Sequence, residues 1–507
     1  MGMIPQLEDI YPEGSDITIM NTYYQYPVFN DGKKVCDDFI DIVFKDNRDD
    51  SKHHKIITNP DYIYYLLNEN EPVPDYNKLF IERSKVHPVH TPFRDLEKSI
   101  AENTGHEDFY KENVRNRDRA NNKKLHTDTR VFFSDTDIEN HYRFRFANTY
   151  TNNIGQLRKG FFDIEVDGKF AEGDFVGMGE CEINCVTYLD LHSNSVYTFI
   201  LRNPDNPLIA EFELEVMNGK FGYNEIREFV IDAVGGIEQA EKYKILDLSY
   251  NLQFYDKEIE LIQDLFITMH STCPDFILGW NSSSFDLQYI IARCFALGYD
   301  PADILCDKTY EVKVVKNYID HRNENDTPER GDFTYISGLP VFMDQMIQYA
   351  SRRKAKFGSM TSLKLDDIGL KEAGVRKLDY HHITKSVTEL PWLDFKTFVK
   401  YNIMDVIVQH CIEYQTQDLE YLFAKCIVNN TVYKKGHRQS VYLINRFAAE
   451  WYKSGYIIGT NYNRWNEKPK NKFLGAIVGN PVLTNDYSKL KINGRAIWVC
   501  DNLIDFD

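Results

Sequence analysis

The sequence predicts an α/β protein, and three observations carry that expectation. The run GFFDIEV (160–166) is nearly continuously apolar apart from its two acids, the pattern of a strand buried within a mixed sheet. Strand-like and helix-like runs then alternate along the chain, which is the signature of sheet-and-helix layering. Isolated acids stand at fixed places in those runs, on the strand, at a strand–helix junction and on a helix.

The elements follow in order. Residues 1–156 form a first region with strand-like stretches at Asp41–Phe44 and Tyr62–Leu67 and a helical stretch at Arg94–Ala101. The polar segment GHEDFYKENVRNRDRANNKKLHTD reads as a surface excursion. After the strand at 160–166, further strands are expected at Cys185–Leu189, Val196–Leu201 and Phe276–Gly279. Apolar residues at helical spacing, Ile259, Leu261, Ile262, Leu265, Phe266 and Met269, predict a helix over 257–270. A second helix is expected at Asp286–Leu297, a hairpin with a long charged turn near 311–336, and helices onward to about Ala424.

Bulk properties narrow the function. At 507 residues the chain is too long for one ordinary core, and two to four domains are expected. No run of eighteen apolar residues occurs, so no membrane span is expected. The N-terminal MGMIPQLEDIYPEGSD is acidic without an apolar stretch, unlike a secretory signal, and a cytoplasmic protein is expected. The nine cysteines are scattered with no CxxC pair; the nearest two, Cys181 and Cys185, read as free thiols in a reducing compartment rather than a zinc site. The net charge of −18 weighs against a nucleic-acid partner. A basic groove can nevertheless sit on an acidic body, and metal sites concentrate carboxylates.

Three acidic positions stand out. Asp163 and Glu165 lie two apart on one strand, so both carboxylates face one side. Asp286 sits in GWNSSSFDLQYI at a strand–loop–helix junction, where a helix N-cap is the plain alternative. Asp405, in YNIMDVIVQH, is expected on a helix with Tyr401 one turn earlier on the same face. Each alone is weak; the three in this order, with these neighbours, are not.

FDIE, GWNxxxFDxxYI and YNxxDV resemble the three exonuclease motifs of B-family DNA polymerases, of the type with four carboxylates and a tyrosine. Phage polymerases of the T-even kind are the nearest resemblance. VFMDQMIQYA, SLKLDDIGL and GAIVGNP (475–481) resemble the same family. The resemblance implies an RNase-H-like exonuclease domain with a mixed five-stranded sheet at 157–420, after an α+β N-terminal domain at 1–156. The chain would return to that domain at 421–470 and begin a polymerase palm at 471–507. It implies 3′→5′ removal of terminal nucleotides by two Mg²⁺ ions, with Mn²⁺ as substitute. Such ions sit roughly 3.5–4 Å apart among carboxylate oxygens. Asp163 would bridge them, Glu165 and Asp405 would hold the water-activating ion, Asp286 the ion beside the leaving oxygen, and Tyr401 would orient the water.

For DNA contact the same resemblance points to Phe285, Asn281 and Lys377, the lysine lying near the scissile phosphate. Phe285 is either a stacking platform for a terminal base or a core residue. The hairpin near 311–336 is either a strand-separating device or a surface hairpin. Two basic clusters, Arg352, Arg353, Lys354 and Lys356, then Lys434, Lys435, His437 and Arg438, are either phosphate contacts or solvated faces. The implied partners are single-stranded 3′ ends and primer–template DNA.

The final WVCDNLIDFD resembles the strand leading into the first palm motif, with Asp507, or in the other register Asp505, as its metal ligand. The remaining palm motifs are not found. The expectation is half of a split polymerase completed by a second polypeptide, a fragment of a longer one, or a self-sufficient exonuclease. A sliding clamp as partner, and the cytoplasm of a phage host as location, go with the resemblance. The rival from another class is a non-catalytic module holding DNA or a replication partner; a further rival is an RNase-H-like nuclease outside replication.

Overall fold

A computed structural model describes residues 17–30, 33–75, 77–146, 157–171, 176–321, 326–357, 362–460, 491–492 and 495–496. The chain divides into two units, Met1–Tyr462 and Asn463–Asp507. In the second, Lys491–Ile492 pairs antiparallel with Arg495–Ala496. GAIVGNP, Asp505 and Asp507 lie outside the described residues.

The first unit is built on a six-stranded mixed sheet. Its order is Ser249–Tyr255, Ser195–Leu201, Ile183–Asp190, Lys159–Val166, Phe276–Gly279, Val341–Asp344. Lys159–Val166 runs antiparallel to Ile183–Asp190 and parallel to Phe276–Gly279. The period-two alternation of the strands feeds two cores. Phe161, Cys185, Leu189, Phe276 and Leu278 join the core under the helix Phe395–Thr416. Phe162, Val186, Tyr188 and Ile277 join the other, against the helix Glu258–Thr272. Because both faces are covered, all eight residues of Ile183–Asp190 are buried, as expected for strands that read as continuous apolar runs.

The sixth strand departs from the expected five. Ser249–Tyr255 (SYNLQFY) pairs parallel with Ser195–Leu201 at the sheet edge. It is only partly buried, so its sequence lacks the apolar run that marks the inner strands. The polar stretch at 105–128 is also more ordered than an excursion: it forms the helix Glu107–Arg115 and a 3₁₀ segment Arg119–Thr127. Asn113 Nδ2 donates to Asn122 Oδ1 (2.9 Å) and joins them.

Residues 17–146 carry two three-stranded sheets, in the orders Ile17–Gln25, Phe39–Asp46, Lys52–Thr58 and Val86–Pro92, Asp61–Leu67, Val131–Phe132. After the long helix the chain comes back to them. Tyr456–Ile458 pairs antiparallel with Phe80–Glu82, and Tyr433 Oη donates to the Met20 carbonyl (2.6 Å). A buried charge cluster also joins these sheets to the central one. Asp275, beside the strand Phe276–Gly279, is fully buried between Lys45 and Lys52, each 3.3 Å away, and accepts the Arg158 N–H.

Candidate active site

The central strand places Asp163 and Glu165 on the same side as Phe161, facing the helix Phe395–Thr416. That helix starts where Asp394 Oδ1 accepts the Thr397 N–H (3.0 Å) and ends at Gln417, in the left-handed region with φ 52°. Between these stops it is buried nearly all round, which holds its polar residues at fixed positions. Tyr401 and Asp405 lie one turn apart on it and both are buried. Ligand atoms of Asp163, Glu165 and Asp405 come within 4.8 Å of one another.

Asp286 stands beside this trio. It is the first residue of the helix Asp286–Ala296, and Phe285 takes the N-cap position. The plain N-cap alternative for Asp286 is thereby corrected. Its Oδ1 accepts the backbone N–H of Ile164 (3.2 Å), between the two strand acids. The preceding loop is fixed by Asp344, whose Oδ2 accepts the Ser283 N–H (3.2 Å).

The electrostatics follow from burying like charges together. Burial first, then Asp405, Asp286 and Glu165, holds the Asp163 carboxyl well above the usual carboxylate range. Glu165 is pushed up to about 8 by burial and then by Asp405. Burial raises Asp286 to about 7 and Asp405 to about 6. Lys377 opposes this: its Nζ is 2.6 Å from Asp405 Oδ2 and 4.5 Å from the centre of the Tyr401 ring. Burial alone would lower the ammonium pKa, yet Asp405 and its neighbours raise it well above the usual lysine value. The Tyr401 phenol, raised by burial and then by Asp405 and Glu165, stays protonated.

This donor set fits a divalent cation. Hard cations take carboxylate oxygens, and the mutual repulsion of the acids is what a cation relieves. Asp405 Oδ1 is buried with no hydrogen-bond partner, the kind of orphan that a metal bond satisfies.

An open cleft of about 1030 Å³ reaches Asp163, lined also by Asn281, Asp366, Lys377 and Tyr401 among others. Asn281 has φ 64° and lines the cleft. Phe285 is half-buried, 5.7 Å ring to ring from Tyr289, and packs against the core. Several members of the basic clusters are paired with acids of the protein. Arg352 and Arg353 both hold Asp418 at 2.8 Å, and Lys354 holds Glu329 at 2.7 Å. Lys434 and Lys435 pair with Glu139 and Asp137 at 2.7 and 2.6 Å.

Sequence reasoning passed over Asn402. Its Nδ2 donates to Asp163 Oδ2 (3.1 Å) and so orients the strand acid from the helix. Gln409 Nε2 donates to the Phe162 carbonyl and Gln345 Nε2 to the Gln409 carbonyl (3.3 and 2.9 Å), a relay from helix to strand. The available signal was the place of Asn402 in the YNxxDV run, three residues before Asp405 on the same helix.

An α/β fold with acids gathered on its central strand, facing a helix that carries an acid and a tyrosine, defines a class of cation-dependent hydrolytic site. Residues 119–327 match the model of the DNA polymerase family B, exonuclease domain, so this part of the chain is similar to the exonuclease portion of a B-family DNA polymerase. It is 26% identical over 271 residues to the DNA-directed DNA polymerase of Escherichia phage RB69. That similarity covers 51% of this chain and 26% of the relative, so the match spans about a quarter of the relative's length. Asp163, Glu165 and Asp286 fall inside the family match; Tyr401 and Asp405 lie beyond it and stand on the geometry. Among the described residues no helix is long and apolar enough to cross a membrane.

Proposed function

We propose that the chain removes nucleotides from the 3′ ends of DNA, as a two-metal proofreading exonuclease using Mg²⁺, with Mn²⁺ as substitute. The observation that carries this reading is the convergence of Asp163, Glu165 and Asp405 within 4.8 Å, next to Asp286 and Tyr401. Asp163 would bridge the two ions, Glu165 and Asp405 would complete one site and Asp286 the other. When bound, the ions would activate water and stabilise the departing oxygen. The protein's own groups do the rest. Asn402 and the Ile164 N–H orient the carboxylates. The Tyr401 hydroxyl, held protonated, orients the attacking water. Lys377 keeps a positive charge facing the scissile phosphate.

The cleft over these residues would take a single-stranded 3′ end, with Asn281 contacting the terminal nucleotides. Phe285, half-buried against the core beside Asp286, would offer its remaining ring surface to a terminal base. The domain partition proposed is an N-terminal domain at 1–156, the exonuclease at 157–420, a return at 421–470 and a palm beginning at 471–507. Primer–template DNA, a second polypeptide, a clamp and a host-cytoplasmic location go with the whole-polymerase reading.

The test is a gel assay with Mg²⁺ on a 5′-labelled primer–template with a 3′ mismatch, and on the single strand, with and without dNTPs. A ladder of shortened primers from the wild type that is absent with Asp163→Ala is the expected result. No shortening on either substrate would leave the non-catalytic binding module as the better reading. Shortening that persists in Asp163→Ala would place the chemistry elsewhere.

A further inference from the structure

The helix that Asp286 opens has no side-chain cap, so the position of its first residue depends on the loop 281–285. That loop turns on its own hydrogen bonds, the N–H groups of Ser284 and Phe285 both donating to the Asn281 carbonyl (3.1 Å). Three further bonds attach it to its neighbours. The Ser283 N–H donates to Asp344 Oδ2 (3.2 Å) on the adjacent strand. The Ser283 carbonyl accepts from Asn317 Nδ2 (3.0 Å), and Ser284 Oγ donates to Asp332 Oδ2 (3.1 Å). Two of the three anchors therefore come from the hairpin Val315–Tyr318 and Phe333–Ile336 or the residue just before its second strand.

The anchors are themselves fixed. Asn317 stands opposite Thr334, whose Oγ1 donates to Asn317 Oδ1 (2.7 Å) and leaves the amide nitrogen aimed at the loop. Asp332 has a fully buried side chain; its Oδ1 accepts the Asp320 N–H (2.8 Å) and its Oδ2 accepts from Arg330 Nε (3.0 Å). The Arg330 guanidinium also reaches Ser284 Oγ. The hairpin is held from both sides. Val315 and Ile336 pack into the core that the central sheet shares with the helix Glu258–Thr272. Tyr335 stacks on Tyr23 of the N-terminal sheet, ring centres 3.5 Å apart, and donates Oη to Asp41 Oδ2 (2.8 Å).

We propose that the hairpin is the positioning element for Asp286, with Asn317, Asp332 and Arg330 acting through Ser283 and Ser284 to set its carboxylate for one cation. The inference rests on the reading of Asp286 as a metal ligand. Mg²⁺ demands near-ideal geometry at about 2.0–2.1 Å, so a small shift of one carboxylate is felt as lost affinity. Groups that orient a metal ligand from behind typically change affinity by about 10–100-fold when removed. The other acids hang on different elements, Asp163 and Glu165 on the central strand and Asp405 on the helix Phe395–Thr416. The hairpin therefore acts on one of the two ions and not on both.

The test is a Mn²⁺ titration of the full chain without DNA, free ion read by electron paramagnetic resonance, with melting curves in EDTA beside it. The wild type should bind two ions, and Asp286→Ala should lose one of them. The double variant Asn317→Ala with Ser284→Ala should bind that same ion about tenfold or more weakly, keep the other at wild-type affinity and still melt cooperatively. Lys316→Ala, an exposed change on the opposite face of the hairpin, should bind both ions as the wild type does. In the primer assay the double variant should need more Mg²⁺ for half its rate and recover at saturating Mg²⁺. Wild-type affinity for both ions in the double variant overturns the proposal, as does an equal loss at both. If Asp286→Ala leaves both ions in place, the metal reading of Asp286 fails, and the inference falls with it.

Discussion

Glu165 has its pKa pushed up to about 8 by burial and by Asp405. A carboxylate whose folded pKa lies above its unfolded value holds its proton more tightly when folded. Stability therefore falls as pH rises from the unfolded pKa, near 4.3, through the folded one. Asp286 and Asp405, raised to about 7 and about 6, act in the same direction. In EDTA the wild type should lose thermal stability between pH 5 and pH 8, and Glu165→Gln should lose less and be the more stable protein at pH 8. Mg²⁺ should reverse that order by raising the wild-type Tm more, and melting curves at the two pH values with and without the ion check both halves. Lys377 makes a separate prediction for the chemical step. Lys377→Ala should cost about 10²-fold in kcat, the usual effect of losing one charge-stabilising donor, and single-turnover assays at saturating DNA would show it. An unchanged rate would reduce Lys377 to a counter-ion of Asp405.

At the scale of elements, the helix Phe395–Thr416 positions most of the site, and its start is a single cap. Asp394→Ala should cost about 1 kcal/mol of stability, the ordinary value of an N-cap side chain. Its exonuclease rate should drop only slightly, because Tyr401 and Asp405 lie further along and are fixed by burial; a urea titration beside the primer assay separates the two. The sheet strands were legible because burial on both faces leaves apolar runs such as GFFDIEV, and the acids were legible because they interrupt those runs. Ser249–Tyr255 was not, since a half-exposed edge strand reads as polar. Asn402 was not either: its partner Asp163 is 239 residues away in sequence, and no local pattern announces such a contact. The hairpin was legible in outline, Val315–Tyr318 pairing with Phe333–Ile336. Its attachment was not legible. Asn317 Nδ2 donates to the Ser283 carbonyl and Ser284 Oγ to Asp332 (3.0 and 3.1 Å), which ties the hairpin to the loop before Asp286.

For the whole first unit, the question is what keeps the N-terminal sheets on the central sheet. Asp275 has no exposure, and Lys45 and Lys52 have side chains only 5% and 3% exposed. Buried ion pairs contribute little net stability when intact, since desolvation offsets the attraction. Removing one partner is costly because it strands the other charge in a dry site, at about 3–5 kcal/mol. Asp275→Ala takes the ion-pair partner from Lys52, leaves Lys45 with Asp50 alone (2.9 Å), and frees the Arg158 N–H that the carboxylate accepts at 2.8 Å. The expected outcome is a Tm drop of several degrees with a loss at that upper scale. The triple variant with Lys45→Met and Lys52→Met should recover much of it, because it removes the stranded charges and keeps their volume. If Asp275→Ala melted like the wild type, the cluster would not hold the sheets together, and the pairing of Tyr456–Ile458 with Phe80–Glu82 would have to carry the attachment instead.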